Sequence, residues 1–197
     1  MEERQPIPTA RSWDGTQSRI LDAADDLIRR VGVHGLTIAE LARRARASRP
    51  TIYRSWADSD DVIRSALLRR VSTILTGFPD PADTRAGLVD DILRFITLFR
   101  TDHVFARLLD DEPEAFTRYT LHRVGSSQRL ILAWLGAAIG RAQAGGTVRT
   151  AAADEVAVMV LLIAQSAVLS HGTVSDLISE DAWERELRAA LDGMLRP

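Results

Sequence analysis

The chain has 197 residues, of which 46% are hydrophobic, so it is long enough to bury the cores of one small and one larger module. It contains no cysteine, which excludes disulfides, thiolate metal sites and cysteine nucleophiles. The formal net charge of −2 argues against a uniformly basic nucleic-acid-binding surface, so such a function would require a local basic patch.

No segment has the pattern of a membrane or secretion signal. Residues 1–14 are polar, contain prolines and lack the apolar core of a secretory signal. The longest fully apolar run, Val156–Ala164, has nine residues, whereas a membrane span needs about 20. We therefore expect a soluble, cytoplasmic protein that does not enter a membrane.

Helical periodicity dominates the chain, and no segment alternates apolar and polar residues as a β-strand does. The first helix is predicted over residues 16–32, where apolar residues recur at offsets of 3, 4, 7 and 8 and form one stripe. Gly32 and Gly35 then end the helix and turn the chain. The pattern predicts an all-α fold.

Two short helices follow, each with its own N-cap. Thr37 and Glu40 have the spacing of a capping box at the start of the first. Ser48 can cap the second, with Pro50 in its first turn, and Asp58 can cap a longer helix after it. The expected core positions of this region are Ile38, Leu41, Ile52 and Trp56.

This pair of helices is typical of a helix-turn-helix, because about three residues join them and the second is polar and basic. Residues 36–56 carry five arginines and one acid, a net charge of +4 in a chain of −2. Such a patch fits phosphate binding, and the alternative is a solvated helix face. Of these arginines, Arg43 and Arg44 are expected to face solvent.

The second helix offers side chains suited to DNA. Arg49 lies near its N-terminus, where an arginine can bond O6 and N7 of one guanine. Thr51 can contact a base or a thymine methyl group. Tyr53, Arg54 and Ser55 offer donors to phosphates, which position the helix, and the Tyr53 ring is expected to pack.

The segments GLTIAELARRA (residues 35–45) and SRPTIYRSW (48–56) resemble the DNA-binding domain of the tetracycline-repressor (TetR) family, and the likeness extends over residues 16–75. The rest of the chain resembles the family only in helix number and length. The resemblance implies a homodimer of nine or ten helices, usually a repressor, that leaves DNA when a small molecule binds. The expected DNA-binding residues are Thr37, Arg46, Ser48, Arg49, Thr51, Tyr53, Arg54 and Ser55.

Two positions depart from the family pattern. The turn position that is usually glycine is Arg46, which would be strained in a left-handed conformation or could contact phosphate. The fourth helix often begins with a phosphate-binding lysine, where this chain has Ser59 followed by Asp60 and Asp61. Either departure would weaken or reshape DNA binding.

A break at residues 77–81, GFPDP, separates two expected domains: a helix-turn-helix DNA-binding domain over 14–75 and a helical ligand-binding and dimerisation domain over 76–197. Helices of the second domain are predicted at about 83–101, 102–110, 113–143, 151–171 and 180–195.

The resemblance implies an effector pocket among these helices, and ligand sites are mostly apolar with a few polar anchors. The candidate residues are Phe95, Phe99, His103, Phe105, Phe116, Tyr119, His122, Trp134, Met159 and Gln165. The competing interpretation is that the aromatic residues are ordinary core.

The last two helices are the expected dimer surface, with the alternative of a monomeric core. The run Val156–Ala164 is apolar all round and so must be covered on every side. The candidate interface residues are Leu161, Val168, Trp183, Leu187, Leu191 and Met194. A dimer would space two recognition helices about one DNA turn, or a multiple, apart, as a palindromic operator requires.

No catalytic signature is present, and the four histidines lack metal-ligand spacing, so we expect no enzyme, no metal and no cofactor. The alternative of another class is a helical small-molecule-binding protein or enzyme without DNA regulation. A narrower alternative keeps the DNA-binding domain in an activator or in a protein without an effector. Salt-dependent duplex binding distinguishes the DNA-binding protein from the other class.

Overall fold

A computed structural model describes residues 12–78, 80, 82–121 and 124–197, which form ten α-helices and no β-strand. The expectation of an all-α fold is confirmed. The helices are α1 (Gly15–Val31), α2 (Ile38–Ala45), α3 (Arg49–Tyr53), α4 (Ser59–Leu75), α5 (Arg85–Thr101), α6 (His103–Asp111), α7 (Pro113–Leu121), α8 (Ser126–Ala144), α9 (Ala153–Val174) and α10 (Glu180–Leu195).

The described residues fall into two compact units. The DNA-reader unit lies within Pro8–Thr73 and Thr101–Gln128, and the C-terminal unit within Ile74–Arg100 and Arg129–Pro197. This grouping differs from the predicted domains, because α6 and α7 belong with the first four helices rather than with the last three. The single helix expected over 113–143 is two helices, α7 and α8, with Gly125 just before the second.

Local capping fixes the helices of the DNA-reader unit. The Asp14 Oδ1 atom accepts hydrogen bonds from the amides of Thr16 and Gln17, both at 2.8 Å, and Gln17 Oε1 accepts from the Asp14 amide at 3.1 Å.

The core of the same unit contains a buried tryptophan. Trp56 is only 1% exposed and its Nε1 donates to Ser65 Oγ at 2.9 Å. A polar group at the centre of this core is therefore satisfied.

The expected core of the first helices is confirmed for most positions. Leu41, Ile52 and Trp56 are at most 1% exposed, whereas Ile38 at the start of α2 is half-buried. Apolar residues of α1, including Leu21 and Ile28, complete the same core. Burial of this size supplies most of the driving force for placing short α2 and α3, which would not be stable alone.

The turn between α2 and α3 contains the strained residue anticipated from the sequence. Arg46 has φ 49° and ψ 45°, in the left-handed region, and is the one non-glycine residue with positive φ in the described part of the chain. The turn is closed by the Ala47 amide, which donates to the Ala42 carbonyl at 3.0 Å. A side chain in this conformation costs roughly 1–2 kcal/mol.

Replacing Arg46 by glycine is therefore expected to stabilise the protein by about 0.5–1 kcal/mol, since relief of the strain exceeds the entropic cost of glycine. The free energy of unfolding in urea measures the effect. The matched control is Arg54→Gly, at φ −65°, where the same change should lower stability by about 0.5–1 kcal/mol. If both variants lose stability, the strain at Arg46 is not significant.

Helix α6 is attached at both ends to other parts of the DNA-reader unit. At its start, Asp102 caps the helix by accepting from the Val104 amide at 2.9 Å, and it also pairs with Arg70 of α4, whose Nη2 lies 2.5 Å from Oδ2. Arg70 Nη1 in turn donates to Asp25 Oδ2 of α1 at 3.0 Å. The N-terminus of α6 is thus joined through one arginine to α4 and α1.

At the other end of α6, Glu112 closes over the turn that follows α1. Its carboxylate accepts from the Val33 amide at 2.7 Å and lies 2.6 Å from the His34 Nδ1 atom. The approach requires a glycine at position 32, because a Cβ atom there would lie 2.4 Å from Glu112 Oε2 and φ is +73°. Burial raises the pKa of Glu112, but the bonds from His34 and the two amides outweigh it and the pKa falls below its ordinary value.

The C-terminal unit is held together by long-range contacts between the start of α5 and the end of α10. Arg85 Nε donates to Asp192 Oδ1 at 2.7 Å, and the Arg85 amide donates to Thr147 Oγ1 at 3.0 Å. The Arg149 amide donates to the Leu195 carbonyl at 3.0 Å. These bonds fix the last helix against the rest of its unit.

Helix α9 is the most apolar element described, and among the described residues it is the one helix long and apolar enough to cross a membrane by length and composition. A core helix of a soluble protein passes the same test, so this is weak evidence for a span. Within the single chain only 28% of its 18-residue apolar window is buried, so most of the coverage that the sequence predicts does not come from this chain. Val158, Met159 and Leu162 are 44%, 48% and 50% exposed, and we call them the α9 stripe.

Candidate functional site

Helix α3 presents its polar side outward while one apolar residue anchors it. Ile52 is fully buried, and Arg49 at the first position and Tyr53 at the last are exposed. Ser48 Oγ accepts from the Thr51 amide at 3.2 Å and lies 2.7 Å from Thr51 Oγ1, so both hydroxyls lie at the N-terminus of α3. That arrangement fits a helix whose first turn reaches base edges.

Ion pairing divides the arginines of the basic patch into two groups. Arg43 Nε donates to Glu40 at 2.9 Å, and Arg44 pairs with Asp26 of α1. The bond from Arg43 holds the pKa of Glu40 below its ordinary value. The pKa of Asp26 is lowered to about 2, mainly by the hydrogen bond from Arg29 and further by Arg30 and Arg44. Both patch arginines are therefore engaged in ion pairs within the chain, although Arg44 shares Asp26 with Arg29 and Arg30.

The other three arginines of the patch, Arg46, Arg49 and Arg54, are exposed, and none has an ion-pair partner among the described residues. They lie on the α2–α3 turn and on α3 itself. Unpaired, exposed cations at one helix are the electrostatic arrangement that phosphate and base contacts require. The sequence analysis also set these three apart from Arg43 and Arg44, but it could not foresee the pairing of Arg44 with Asp26, which lies 18 residues away in the chain.

The remaining predicted DNA-binding residues have mixed roles. Thr37 Oγ1 accepts from the Glu40 amide at 3.2 Å as the α2 cap, and Ser55 Oγ accepts from Gln17 Nε2 at 3.3 Å. Each hydroxyl keeps a proton to donate to phosphate. The Tyr53 ring is less packed than predicted, because Tyr53 is 54% exposed and about half of its surface is open to contact.

The acidic start of α4 is occupied by contacts within the DNA-reader unit. Asp58 Oδ1 accepts from the Asp61 amide at 2.7 Å, which confirms Asp58 as the expected cap. Tyr119 Oη donates to Asp60 Oδ1 at 3.1 Å, and burial together with that carboxylate raises the pKa of Tyr119 well above its usual range. Asp60, which follows the serine that stands where the family often has lysine, thus links α4 to α7.

Three of the predicted effector residues come together in the C-terminal unit. The ring centroid of Phe95 lies 5.6 Å from Trp134 and 6.1 Å from Phe99. Phe78, which the sequence analysis missed, completes the group, 5.3 Å from Trp134 and 6.4 Å from Phe95. We call these four residues the aromatic cluster. The missed signal was the lone phenylalanine in the break at residues 77–81.

The other effector candidates do not join the aromatic cluster. Phe105 and Phe116 are buried in the DNA-reader unit, Tyr119 is bonded to Asp60, and His103 is exposed beside Arg70, Nδ1 lying 3.3 Å from Nη2. Gln165 is half-buried, and His122 lies outside the described residues. Met159 is wrong as a lining residue, because it belongs to the exposed α9 stripe.

The predicted dimer residues also divide by burial. Leu161, Leu187 and Leu191 are 7%, 9% and 0% exposed in the single chain, so they are core of the C-terminal unit and not a free surface. Val168, Trp183 and Met194 are half-buried. Trp183 packs edge-on against His171, with ring centroids 4.9 Å apart. The uncovered apolar surface is the α9 stripe instead.

Metal binding finds no support in the described part of the chain, where no group of three or more histidine, aspartate or glutamate residues is placed to hold an ion. The charged clusters of the DNA-reader unit are arginine–carboxylate pairs, as at Asp25, which accepts from Arg69 Nη2 at 2.9 Å. Such pairs hold helices together and leave few carboxylate oxygens open to a cation.

Comparisons with known proteins agree with this geometry. Residues 20–66 match the family described as bacterial regulatory proteins, tetR family. An uncharacterised HTH-type transcriptional regulator of Mycobacterium tuberculosis (strain ATCC 25618 / H37Rv), Rv2250c, is 37% identical over 180 residues, covering 91% of this chain and 94% of the relative.

Solved structures share the fold at low sequence identity. A TetR transcription regulator from Haloarcula marismortui aligns with a TM-score of 0.62 at 16% identity, over 93% of this chain and 97% of that one. The transcriptional regulator FadR from Bacillus subtilis, in complex with stearoyl-CoA, aligns with a TM-score of 0.60 at 16% identity, over 91% and 99%.

Proposed function

Because this chain belongs to the tetR family of bacterial regulatory proteins, which are HTH-type transcriptional regulators, we propose that it is a repressor that binds a palindromic operator as a homodimer. Helix α3 reads the major groove, and a small-molecule effector bound in the C-terminal unit releases the protein from DNA. The protein acts in the cytoplasm and performs no catalysis.

The observation that carries this proposal is the group of three exposed arginines without partners among the described residues, Arg46, Arg49 and Arg54. Arg49 opens α3, where a guanidinium can bond two acceptors of one guanine and discriminate it by about 1–3 kcal/mol. Arg46 and Arg54 flank it and suit phosphates. The Tyr53 and Ser48 hydroxyls add further donors on the same side of the turn.

The α9 stripe supports the homodimer. Its three large apolar side chains are about half exposed on one helix, and a second copy of the chain would cover them in an isologous contact. Two-fold symmetry in the protein is what a palindromic operator matches. The candidate interface therefore shifts from the buried leucines of α9 and α10 to Val158, Met159 and Leu162.

Release by an effector follows as a population shift between a DNA-competent arrangement and one in which the recognition helices no longer match successive major grooves. The fold neighbour from Bacillus subtilis is in complex with stearoyl-CoA, and a ligand-bound regulator of this fold supports an effector for this chain. The aromatic cluster is the proposed location of the effector in this chain. We do not assign α6 to the effector site, because its two ends are joined to α1 and α4.

The first test is fluorescence anisotropy with the duplex upstream of the chain's own coding region, compared with a random duplex over a salt series. Wild type should bind the upstream duplex in preference, and affinity should fall steeply as salt rises because phosphate contacts release counterions. Arg49→Ala should weaken binding to that duplex about tenfold or more and weaken random-duplex binding much less.

The matched control is Arg43→Ala, which removes the same charge from an arginine already paired with Glu40. Its operator affinity should stay within about threefold of wild type. Equal losses in both variants would mean that only net charge matters and would remove Arg49 as a base reader. Absence of duplex binding even at low salt would contradict the proposed function itself.

A further inference from the structure

Trp134 carries an unusual polar atom for a residue so deeply placed. The side chain sits on α8 and is 8% exposed, and its indole Nε1 has no hydrogen-bond partner among the described residues and almost no contact with solvent. Buried N–H groups in folded proteins nearly always have a partner, because leaving one unsatisfied costs free energy. Trp56 is also buried, but its Nε1 donates to Ser65, so the unpaired N–H is a feature of Trp134 and not of buried tryptophans in this chain generally.

The ring that carries this atom packs among other aromatic rings. The Trp134 centroid lies 5.3 Å from that of Phe78 and 5.6 Å from that of Phe95, whose plane is tilted by only 30°, and the two phenylalanine centroids are 6.4 Å apart. The guanidinium carbon of Arg94 lies 4.8 Å from the Phe78 ring centroid, at the exposed side of the same group. The aromatic cluster thus combines stacking faces, one internal donor and one cation at its edge.

We propose that Trp134 Nε1 is the polar anchor of a ligand subsite in the aromatic cluster, and that the ligand is a planar apolar molecule carrying a carbonyl or similar oxygen acceptor. The inference rests on the proposed function in that it names the effector's chemistry.

The class follows from the donor and from its neighbours. An indole N–H donates and cannot accept, so the group that pairs with it must be an acceptor. Phenylalanine rings favour offset or tilted contact with another ring or a planar group. None of the four cluster residues is a carboxylate, and the Arg94 cation already lies over the Phe78 ring, so an uncharged or anionic ligand is favoured over a cationic one.

The test uses two probes of the same shape on the full-length protein without DNA: 2-acetylnaphthalene, and 2-isopropenylnaphthalene, in which a methylene group replaces the carbonyl oxygen. The smaller pair acetophenone and α-methylstyrene repeats the comparison. The chain has four tryptophans, so its ¹⁵N spectrum has four indole signals, and the one lost in Trp134→Phe identifies Trp134. Titrations followed by these signals give the affinities.

In wild type, the ketone should bind about tenfold more tightly than its hydrocarbon partner and should move the Trp134 indole proton downfield. The hydrocarbon should leave that proton without a downfield shift. Trp134→Phe should abolish the ketone's advantage, whereas Trp13→Phe, at the ring that stacks on Trp56 in the DNA-reader unit, should preserve it.

Equal affinity for ketone and hydrocarbon in wild type would overturn the proposal, and so would a ketone advantage that survives in Trp134→Phe. It is equally overturned if neither pair shifts the Trp134 signal, since the aromatic cluster would then be closed core. If Trp134→Phe fails to fold, the Trp134 signal is identified by elimination from phenylalanine variants of the other three tryptophans, and the wild-type comparison decides the matter. Because no DNA is present, failure here is separate from failure of the operator-binding test.

Discussion

Replacing Leu162 by arginine is expected to dissociate the proposed homodimer and to lower operator affinity at least a hundredfold. Leu162 lies on α9 and is 50% exposed to solvent. Other residues of the same helix are buried and hold it to its own unit. An isologous interface repeats each substitution in both subunits, so a dimer acquires two buried charges and loses two leucine contacts. A hundredfold change corresponds to about 2.7 kcal/mol.

Sedimentation velocity over a concentration series measures the association, and anisotropy with the operator duplex measures the consequence for DNA binding. A monomer would contact one half-site, so the loss of dimer and the loss of specific binding should occur together. The matched control is Leu177→Arg, because Leu177 is 84% exposed beyond the end of α9 and should tolerate the change. A Leu162→Arg protein that remains dimeric would remove the α9 stripe from the interface.

Replacing Arg70 by methionine is expected to destabilise the protein by about 2–4 kcal/mol at pH 7, the other large effect. The Arg70 side chain is 19% exposed and pairs with Asp25 and Asp102, which are each 13% exposed. Removing one member of a buried ion pair leaves the opposite charge without compensation, which costs roughly 3–5 kcal/mol. Here Asp25 keeps its pair with Arg69, so the expected cost is smaller.

The pH dependence has a definite sign. Burial raises the pKa of Asp25, and the pairs with Arg69 and Arg70 offset only part of that rise. Without Arg70 the pKa of Asp25 rises further. As the pH is lowered, the variant therefore protonates this carboxyl at a higher pH than wild type does. The charge penalty then disappears, and the difference in unfolding free energy should shrink as the pH falls from 7 toward 4.5.

Urea unfolding at both pH values measures this difference. The matched control is Arg29→Met on α1, whose side chain is 53% exposed and whose pair with Asp26 should be worth less than about 1 kcal/mol. If Arg70→Met loses as little unfolding free energy as the control does, the ion pairs of Arg70 do not stabilise the packing of α4 against α1 and α6. A loss equal at both pH values would mean that protonation of Asp25 does not relieve the cost of removing Arg70.

The parts of the fold that the sequence predicted are those that depend on near neighbours. Thr37, Ser48 and Asp58 cap the helices that follow them, because an N-cap bonds an amide two or three residues later. Arg46 is likewise left-handed, as its position in a short turn implied. All-α architecture follows from apolar periodicity, which the whole chain displays.

What the sequence could not predict depends on partners far along the chain. The pairing of Arg44 with Asp26 joins residues 18 apart, and the bond from the Val33 amide to Glu112 joins residues 79 apart. Neither pair has a sequence pattern. The α9 stripe was likewise hidden, because a helix that is apolar on every side does not indicate which residues its own chain will cover.

The attachment of α6 at both ends has a consequence for how this molecule opens. The amides of Val33 and His34 are held by Glu112 at one end of α6, while Asp102 at the other end is held by Arg70. Neither end of α6 can detach unless the turn after α1 or the contact with α4 also loosens. Hydrogen exchange at these amides should therefore report a single cooperative opening rather than local fraying. Helix α1 also packs against α2, and α2 packs against α3, so the proposed recognition helix rests on elements that this opening would loosen.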